Sequence, residues 1–304
     1  MKNKQVCNMC GSPEIRRLYV LKDDYIGARD GSECILNVEK CTNCGLIFVS
    51  NTEDAFAVDE FFWKEIVKDC SEEFGGISSA DYEDKVELME KYRKNNRILD
   101  IGCGDGQFLK LLKRRGWHEF GLDCSKEAVD RARDRLHLNV VHGMAEDMDF
   151  PDNYFDVVIM WGVIEHLKNP RKVLEKVSRV LRKGGLVLLY TPNVNSLFHR
   201  LARFVYLCSG CRCVYPLRKL FIKIHLFYFS PKTISRILTN SGLVPFEIIR
   251  ANIDANVVLA VHPDRAWARS RLIRLAVRGI SIAGSALRMK SHMEAYAVNE
   301  KDRV

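Results

Sequence analysis

At 304 residues the chain is long enough for one medium domain and a small one, and 47% hydrophobic with 28% charged residues is the composition of a globular, cytoplasmic protein. The opening segment lacks the apolar run of a signal peptide, and no stretch of eighteen uncharged apolar residues occurs, which argues against export and against a spanning helix. The net charge of +8 is uneven: residues 195–304 hold 18 basic and 6 acidic side chains, whereas residues 1–194 hold 29 and 33.

Residues 1–50 read as short strand-like runs bracketed by two knuckles, Cys7-Asn8-Met9-Cys10-Gly11 and Cys41-Thr42-Asn43-Cys44-Gly45. The spacing lets both thiolates of a pair approach one tetrahedral ion, and the glycine permits the tight turn behind them. Two such pairs, Cys7, Cys10, Cys41 and Cys44, make a closed four-cysteine site of the structural zinc type. Such a site is expected to stabilise a module too small to fold on its core alone. A hairpin is expected around Asp30-Gly31. With 11 cysteines and no export signal, metal binding or buried thiols are expected rather than disulfides. The further run Cys208, Cys211, Cys213 has no matching partner pair and reads as free thiols or a second metal site.

Residues 51–95 read as a helical linker, with Phe61, Phe62 and Trp63 followed by a charged run from Asp81 to Arg93. Residues 96–194 alternate strand and helix signals, the mark of an α/β fold with a parallel sheet. The strand Ile98–Ile101 runs into Gly102-Cys103-Gly104-Asp105-Gly106, and a helix follows with Phe108, Leu109, Leu111 and Leu112 at helical spacing. The third glycine comes one residue earlier than in the dinucleotide pattern GxGxxG, which rests a pyrophosphate on the helix terminus. The next strand, Phe120–Asp123, ends in a carboxylate suited to accept both hydroxyls of a ribose. Ser125 stands where it caps a helix carrying Ala128, Val129 and Ala132. Third and fourth strands are predicted over 139–142 and 155–160.

These motifs resemble one family. Leu99-Asp-Ile-Gly-Cys-Gly-Asp-Gly, Gly121-Leu-Asp, Ala145-Glu-Asp, Phe155-Asp-Val-Val, Glu165-His-Leu, Leu181-Arg-Lys-Gly-Gly, Thr191-Pro-Asn and His225-Leu-Phe-Tyr-Phe-Ser look like the class I S-adenosylmethionine (SAM)-dependent methyltransferases of the small-molecule type. That group includes enzymes similar to the ubiquinone-biosynthesis methyltransferases, and the resemblance spans residues 81–245. It implies a Rossmann-like seven-stranded sheet with SAM as cofactor. It also implies a small N-terminal zinc ribbon, seen on relatives thought to act on sugars, and a helical lid insertion. The domains expected are 1–50 ribbon, 51–95 linker, 96–194 cofactor-binding core, 195–230 basic lid, and 231–304 completion of the sheet with a basic helix. By the resemblance, Asp100 with Gly102, Cys103, Gly104 and Gly106 holds the methionine end. Asp123 with Cys124 beside it holds the ribose, and Ala145 with Glu146 holds the adenine edge. Met144 stands where relatives often carry Asp or Asn, which leaves the adenine to backbone and Glu146.

The segment Met160–His166 falls where the sulfonium would sit. His166 is the candidate base, because a neutral imidazole is available near neutrality; Trp161 either lines the methionine pocket or fills core, and His225 is a candidate for the acceptor pocket. Residues 195–224 carry six basic side chains and no acid. Leu197, Leu201, Phe204 and Val205 recur at helical spacing, as do Leu217, Leu220, Phe221 and Ile224, and residues 266–290 repeat the style. Two basic amphipathic lid helices are therefore expected, suited to an anionic acceptor or to a peripheral membrane contact as well as to simple solvation. The acceptor expected is a small molecule: a sugar, or a nucleotide- or lipid-linked saccharide. Two rivals stand beside it, an RNA methyltransferase and a non-catalytic scaffold that keeps the fold. Met160-Trp161-Gly162-Val163 replaces the Asn/Asp-Pro-Pro-aromatic signature of base N-methyltransferases, and no Pro-Cys pair occurs, so a nucleic-acid acceptor is disfavoured.

Overall fold

The structure is a computed structural model and describes residues 6–23, 34–50, 79–222, 224–252 and 270–300. The expected turn at Asp30-Gly31, the aromatic run Phe61–Trp63 and the linker before residue 79 lie outside the described residues. The chain divides into two units. The first comprises Met1–Val58, Pro192–Thr233 and Arg250–Met293, and the second Asp59–Thr191, Ile234–Ile249 and Glu294–Val304.

The first unit is built on β1 (Ile15–Asp23), β2 (Cys34–Cys41) and β3 (Ile47–Val49), joined at the edge by the short β9 (Phe227–Tyr228). Neighbouring strands are antiparallel, and Ile47 and Phe48 pair with Tyr228 and Phe227. The HLFYFS segment thus completes the sheet that the cysteine knuckles begin. Tyr19, Leu21, Leu36, Val38 and Val49 form one core with Ala202, Leu217, Phe221 and Tyr228. The same unit holds the helices α5 (Leu197–Cys208), α6 (Tyr215–Arg218) and α8 (Arg271–Ala286). The second amphipathic lid helix expected over 217–224 is therefore one turn only. Pro216 starts that turn, Phe221 N–H still donates to Leu217 O at 2.8 Å, and beyond it the Tyr228 hydroxyl takes the Ile222 backbone N–H at 2.9 Å and donates to its carbonyl at 3.1 Å, so the helix goes no further while Leu217 and Phe221 are buried.

The second unit is a seven-stranded sheet in the order β10-β11-β8-β7-β4-β5-β6, with β4 (Arg97–Ile101), β5 (His118–Asp123), β6 (Val140–His142), β7 (Phe155–Trp161), β8 (Leu181–Pro192), β10 (Val244–Ala251) and β11 (His292–Val298). The pairs β4/β5, β4/β7, β5/β6 and β7/β8 are parallel. Central strands covered on both faces read as continuous apolar runs, and β7 is buried from Phe155 to Met160. Around the sheet lie α1 (Ser79–Glu90), α2 (Gln107–Arg114), α3 (Lys126–Leu136), α4 (Pro170–Val180) and α7 (Pro231–Asn240). Ser125 caps α3 through Ala128 N–H, and Ala128, Val129 and Ala132 are buried.

One buried acid organises the far end of β4 and β7. Asp156, 0% exposed, accepts from the backbone N–H groups of Lys94 (3.0 Å) and Asn95 (2.7 Å) and from Arg182 Nε (2.5 Å). Burial alone raises its carboxyl, but Arg182 and the two amides outweigh it and hold the group below its ordinary range. Asp156→Ala is expected to cost about 3 kcal/mol, since it takes the acid from a half-buried guanidinium and two backbone amides. Chemical denaturation checks this. A depressed folded value stabilises above the unfolded value of about 4 and is lost as pH falls through the folded one, so wild type and variant should converge in strong acid.

Candidate functional site

The strand order reverses at β4, which pairs with β5 on one edge and β7 on the other. Open α/β sheets bind ligands at such a switch point, outside the carboxyl ends of the strands. Three loops leave from there. After β4, Gly102 has φ +77°, and a Cβ on it would collide with Val163 Cγ2 of the loop after β7. Gly104 has φ +55°, and a Cβ on it would meet nothing within 4 Å. The first glycine is required by packing between loops, and the second borders open space that a ligand could enter.

The carboxylate of Asp123 is clamped. Its Oδ2 accepts Gly104 N–H and its Oδ1 accepts Ser125 N–H, both at 2.8 Å. This fixes the orientation of the acid and leaves further lone pairs on each oxygen. Burial raises its carboxyl, while the two amides and His142 pull it down. Asp100, nearly fully buried one residue before the end of β4, has no such support: its Oδ1 has no hydrogen-bond partner. Burial, with the Asp123 charge adding to it, pushes Asp100 up to about 8. A buried acid with an empty oxygen suits a cationic ligand group. Cys103 and Cys124 are half-buried; burial raises both thiols, Cys124 to about 12, so neither is a ready nucleophile.

Ala145 and Glu146 lie in a 3₁₀ turn, Ala145–Asp147, after β6. Glu146 Oε1 accepts the backbone N–H of Lys168 at 2.8 Å, and its buried Oε2 has no partner. Trp161 packs edge-on to Phe108 of α2 and beside Tyr190 of β8, both at 5.8 Å, at the margin of the core. His166 is half-buried in the turn after β7, on the loop that meets Gly102 through Val163. His225 belongs to the first unit, 5.9 Å edge-to-face from Tyr228. The sequence reading assigned no role to Glu165. This acid is buried beside His166, accepts the Thr191 hydroxyl at 3.0 Å, and is pushed up by burial to about 7. Its burial follows from the close packing of the β7 and β8 ends, which no local pattern reveals.

The four knuckle cysteines form a second centre, in the first unit. Cys7 and Cys44 sulfurs stand 3.5 Å apart, Cys10 and Cys41 3.6 Å, and all four lie within 4.8 Å of one another. The knuckles repeat each other bond for bond. Cys7 N–H donates to Ser12 O and Cys41 N–H to Leu46 O, both at 2.9 Å, while Gly11 and Gly45 donate back to Cys7 O and Cys41 O. Four thiolates about 2.3 Å from a tetrahedral zinc stand about 3.8 Å apart, which these spacings match. Burial raises Cys7 to about 11 and Cys44 further. At Cys41 burial is outweighed by backbone and thiol donors around Cys44, Cys10 and Asn43, which lower it to about 7. None of the four is in a disulfide.

Together the glycine loop after β4 and the acid ending β5 stand at the point of an α/β sheet where ligands bind. The Methyltransferase domain family matches residues 77–248, and the chain belongs to it. The chain is 36% identical over 112 residues to the ubiquinone biosynthesis O-methyltransferase of Maricaulis maris, covering 35% of this chain and 44% of that protein. It is 29% identical over 150 residues to 2-methyl-6-phytyl-1,4-hydroquinone methyltransferase 2 of Oryza sativa, covering 48% and 42%. The chain thus spans about half or less of the length of the curated relatives it matches. In fold it is similar to a chain of the Haloferax volcanii complex containing the Trm112 methyltransferase activator, with a TM-score of 0.52 at 18% identity, covering 83% of this chain and 97% of that one.

The two glycines should respond oppositely to alanine. Gly104→Ala is expected to fold with a penalty of about 1–2 kcal/mol yet bind S-adenosylhomocysteine at least about tenfold more weakly. Gly102→Ala is expected to lower the melting temperature markedly, because Val163 must move. Calorimetric titration beside thermal unfolding separates them.

Proposed function

We propose that the protein transfers a methyl group from SAM to a small anionic acceptor, a sugar or a nucleotide- or lipid-linked saccharide. The observation that carries this reading is the pairing at the switch point of an amide-clamped Asp123 with the unpartnered Asp100 oxygen. Asp123, flanked by Cys124, would accept the ribose hydroxyls, and Asp100 would face the amino group of the methionine end. Gly102, Cys103, Gly104 and Gly106 would line that end, with Trp161 closing it, and Ala145 and Glu146 would border the adenine. SAM supplies, when bound, a methyl group already activated by sulfonium charge. The protein's task is then chiefly alignment. Where the acceptor is a hydroxyl, the His166 imidazole takes its proton and holds it until release to solvent. His225 is the candidate acceptor contact. The acidic balance of residues 1–194 against the basic 195–304 supports an anionic acceptor. A quinone-type acceptor is the second reading, favoured by the names of the two relatives above.

Titration with S-adenosylhomocysteine tests the cofactor site. Micromolar binding lost in Asp123→Ala is expected, and folded protein that fails to bind would overturn the assignment. Affinity should rise about tenfold or more from pH 6 to 8, because Asp100 must release its proton to meet a cationic ligand; Asp100→Asn should flatten that rise. Incubation with labelled SAM and cell extract tests the acceptor: label in anionic small molecules supports the reading, and label in RNA or nowhere defeats it.

The cysteine centre is proposed to hold one structural zinc through Cys7, Cys10, Cys41 and Cys44. A closed four-sulfur set leaves no position for water, so its contribution is to folding, on the order of 10 kcal/mol. Metal analysis should find one zinc per chain, and none in a Cys7→Ser, Cys44→Ser variant. A strong chelator should melt the β1–β3 sheet signal.

A further inference from the structure

Among the described residues no helix is long and apolar enough to cross a membrane. Helix α8, Arg-Leu-Ile-Arg-Leu-Ala-Val-Arg-Gly-Ile-Ser-Ile-Ala-Gly-Ser-Ala, is nevertheless apolar on two opposite sides. One side faces the protein: Val277 and Gly284 are buried, and Ile273 and Ile280 partly so. At 100° per residue the opposite side carries Leu272, Leu275, Gly279, Ile282 and Ala286, a 3-4-3-4 spacing. Every one of these is exposed, with Leu272 at 79%, Ile282 at 72% and Leu275 at 65%. Arg271, Arg274 and Arg278, all exposed, fall on one flank between the two stripes, and residues 270–290 contain no acid.

The neighbouring α5 repeats the combination within the same unit. Leu201, Phe204, Val205 and Leu207 are exposed, Phe204 at 64%, beside Arg200 and Arg203. The two helices meet at their ends, where Leu197 N–H donates to Met289 O at 2.9 Å and the missing side chain of Gly284 leaves room for that carbonyl.

We propose that the outer stripe of α8, continued by α5, lies in the plane of an anionic phospholipid bilayer. The aliphatic side chains would enter the acyl boundary, and the arginine flank would reach lipid phosphates, the geometry of an interfacial helix. Charge selects this occupant. A second copy would bring an acid-free, arginine-lined helix against another of the same sign. RNA would answer the arginines but would leave the Leu–Leu–Ile stripe of α8 without a counterpart. The inference does not rest on the identity of the acceptor, and its test needs no methyl transfer.

The full-length, zinc-loaded protein is sedimented with vesicles of phosphatidylcholine containing one third phosphatidylglycerol, and with vesicles of phosphatidylcholine alone. Binding to the anionic vesicles only is expected, weakening as salt rises. The variant Leu272→Glu, Leu275→Glu, Ile282→Glu should lose at least about tenfold in vesicle affinity while keeping its affinity for S-adenosylhomocysteine and its melting temperature. The variant Arg271→Gln, Arg274→Gln, Arg278→Gln should lose the salt-dependent part. Folded, homocysteine-analogue-binding protein that ignores both vesicle types overturns the proposal, as does vesicle binding indifferent to the glutamates. A wild type that dimerises in solution and becomes monomeric in the glutamate variant, with no vesicle binding, assigns the face to a second copy instead.

Discussion

Strand β4 is hydrogen-bonded on both edges, and the placement of the proposed methionine-end and ribose contacts follows from that one constraint. Because β5 continues the sheet on one side and β7 on the other, the loops leaving these three strands open around a single line. Gly102 then has to pass against Val163, and Gly104 has to turn its amide onto Asp123, a residue carried by the neighbouring strand. At the opposite end of the same strands, Asp156 gathers Lys94, Asn95 and Arg182, so β4 is pinned where the chain enters it as well as where it leaves. The cleft is therefore a property of the sheet, and the loops have little freedom to lose on binding.

Electrostatics in the cleft run against the usual preference for pairing. Asp100 and Glu165 are both buried, and each is raised toward neutrality, to about 8 and about 7. Asp123 is raised by burial too, with two amides held on its oxygens. A buried acid raised toward neutrality would form its charge when a cationic group arrives, and such a pair would be stronger than one made in water. Glu165 differs in having the Thr191 hydroxyl already on one oxygen. Its position next to His166 in the chain makes it a natural influence on that turn, through backbone as much as charge.

Much of this was legible in the sequence because the signals are local. The glycine loop, the acid ending β5, the Ser125 cap and the two CxxCG knuckles each lie within a few residues and carry their own geometry. The joining of β3 to β9 was not legible: Ile47 and Tyr228 are far apart in sequence, and a two-residue strand has no periodicity. Residues 217–224 misled for a related reason. Their apolar spacing is real, but Leu217 and Phe221 reach the core of the first unit from a single turn and the residues just after it, and at Ile222 hydrogen bonds to the Tyr228 hydroxyl take the place of further helical ones.

Helix α8 shows where periodicity stops being informative. Its 3-4 spacing is satisfied twice, by Ile273, Val277, Ile280 and Gly284 and by Leu272, Leu275, Gly279, Ile282 and Ala286, and sequence cannot say which stripe meets the protein. The structure buries the first, which includes Gly284 packed close to Met289 O, and turns the second outward with both leucines of the helix. Leu272, Leu275 and Ile282 are thus left over from the packing, and the arginines sit between the stripes. That distribution is costly in water and makes sense where a second, non-aqueous phase with negative charge at its boundary lies against the outer face.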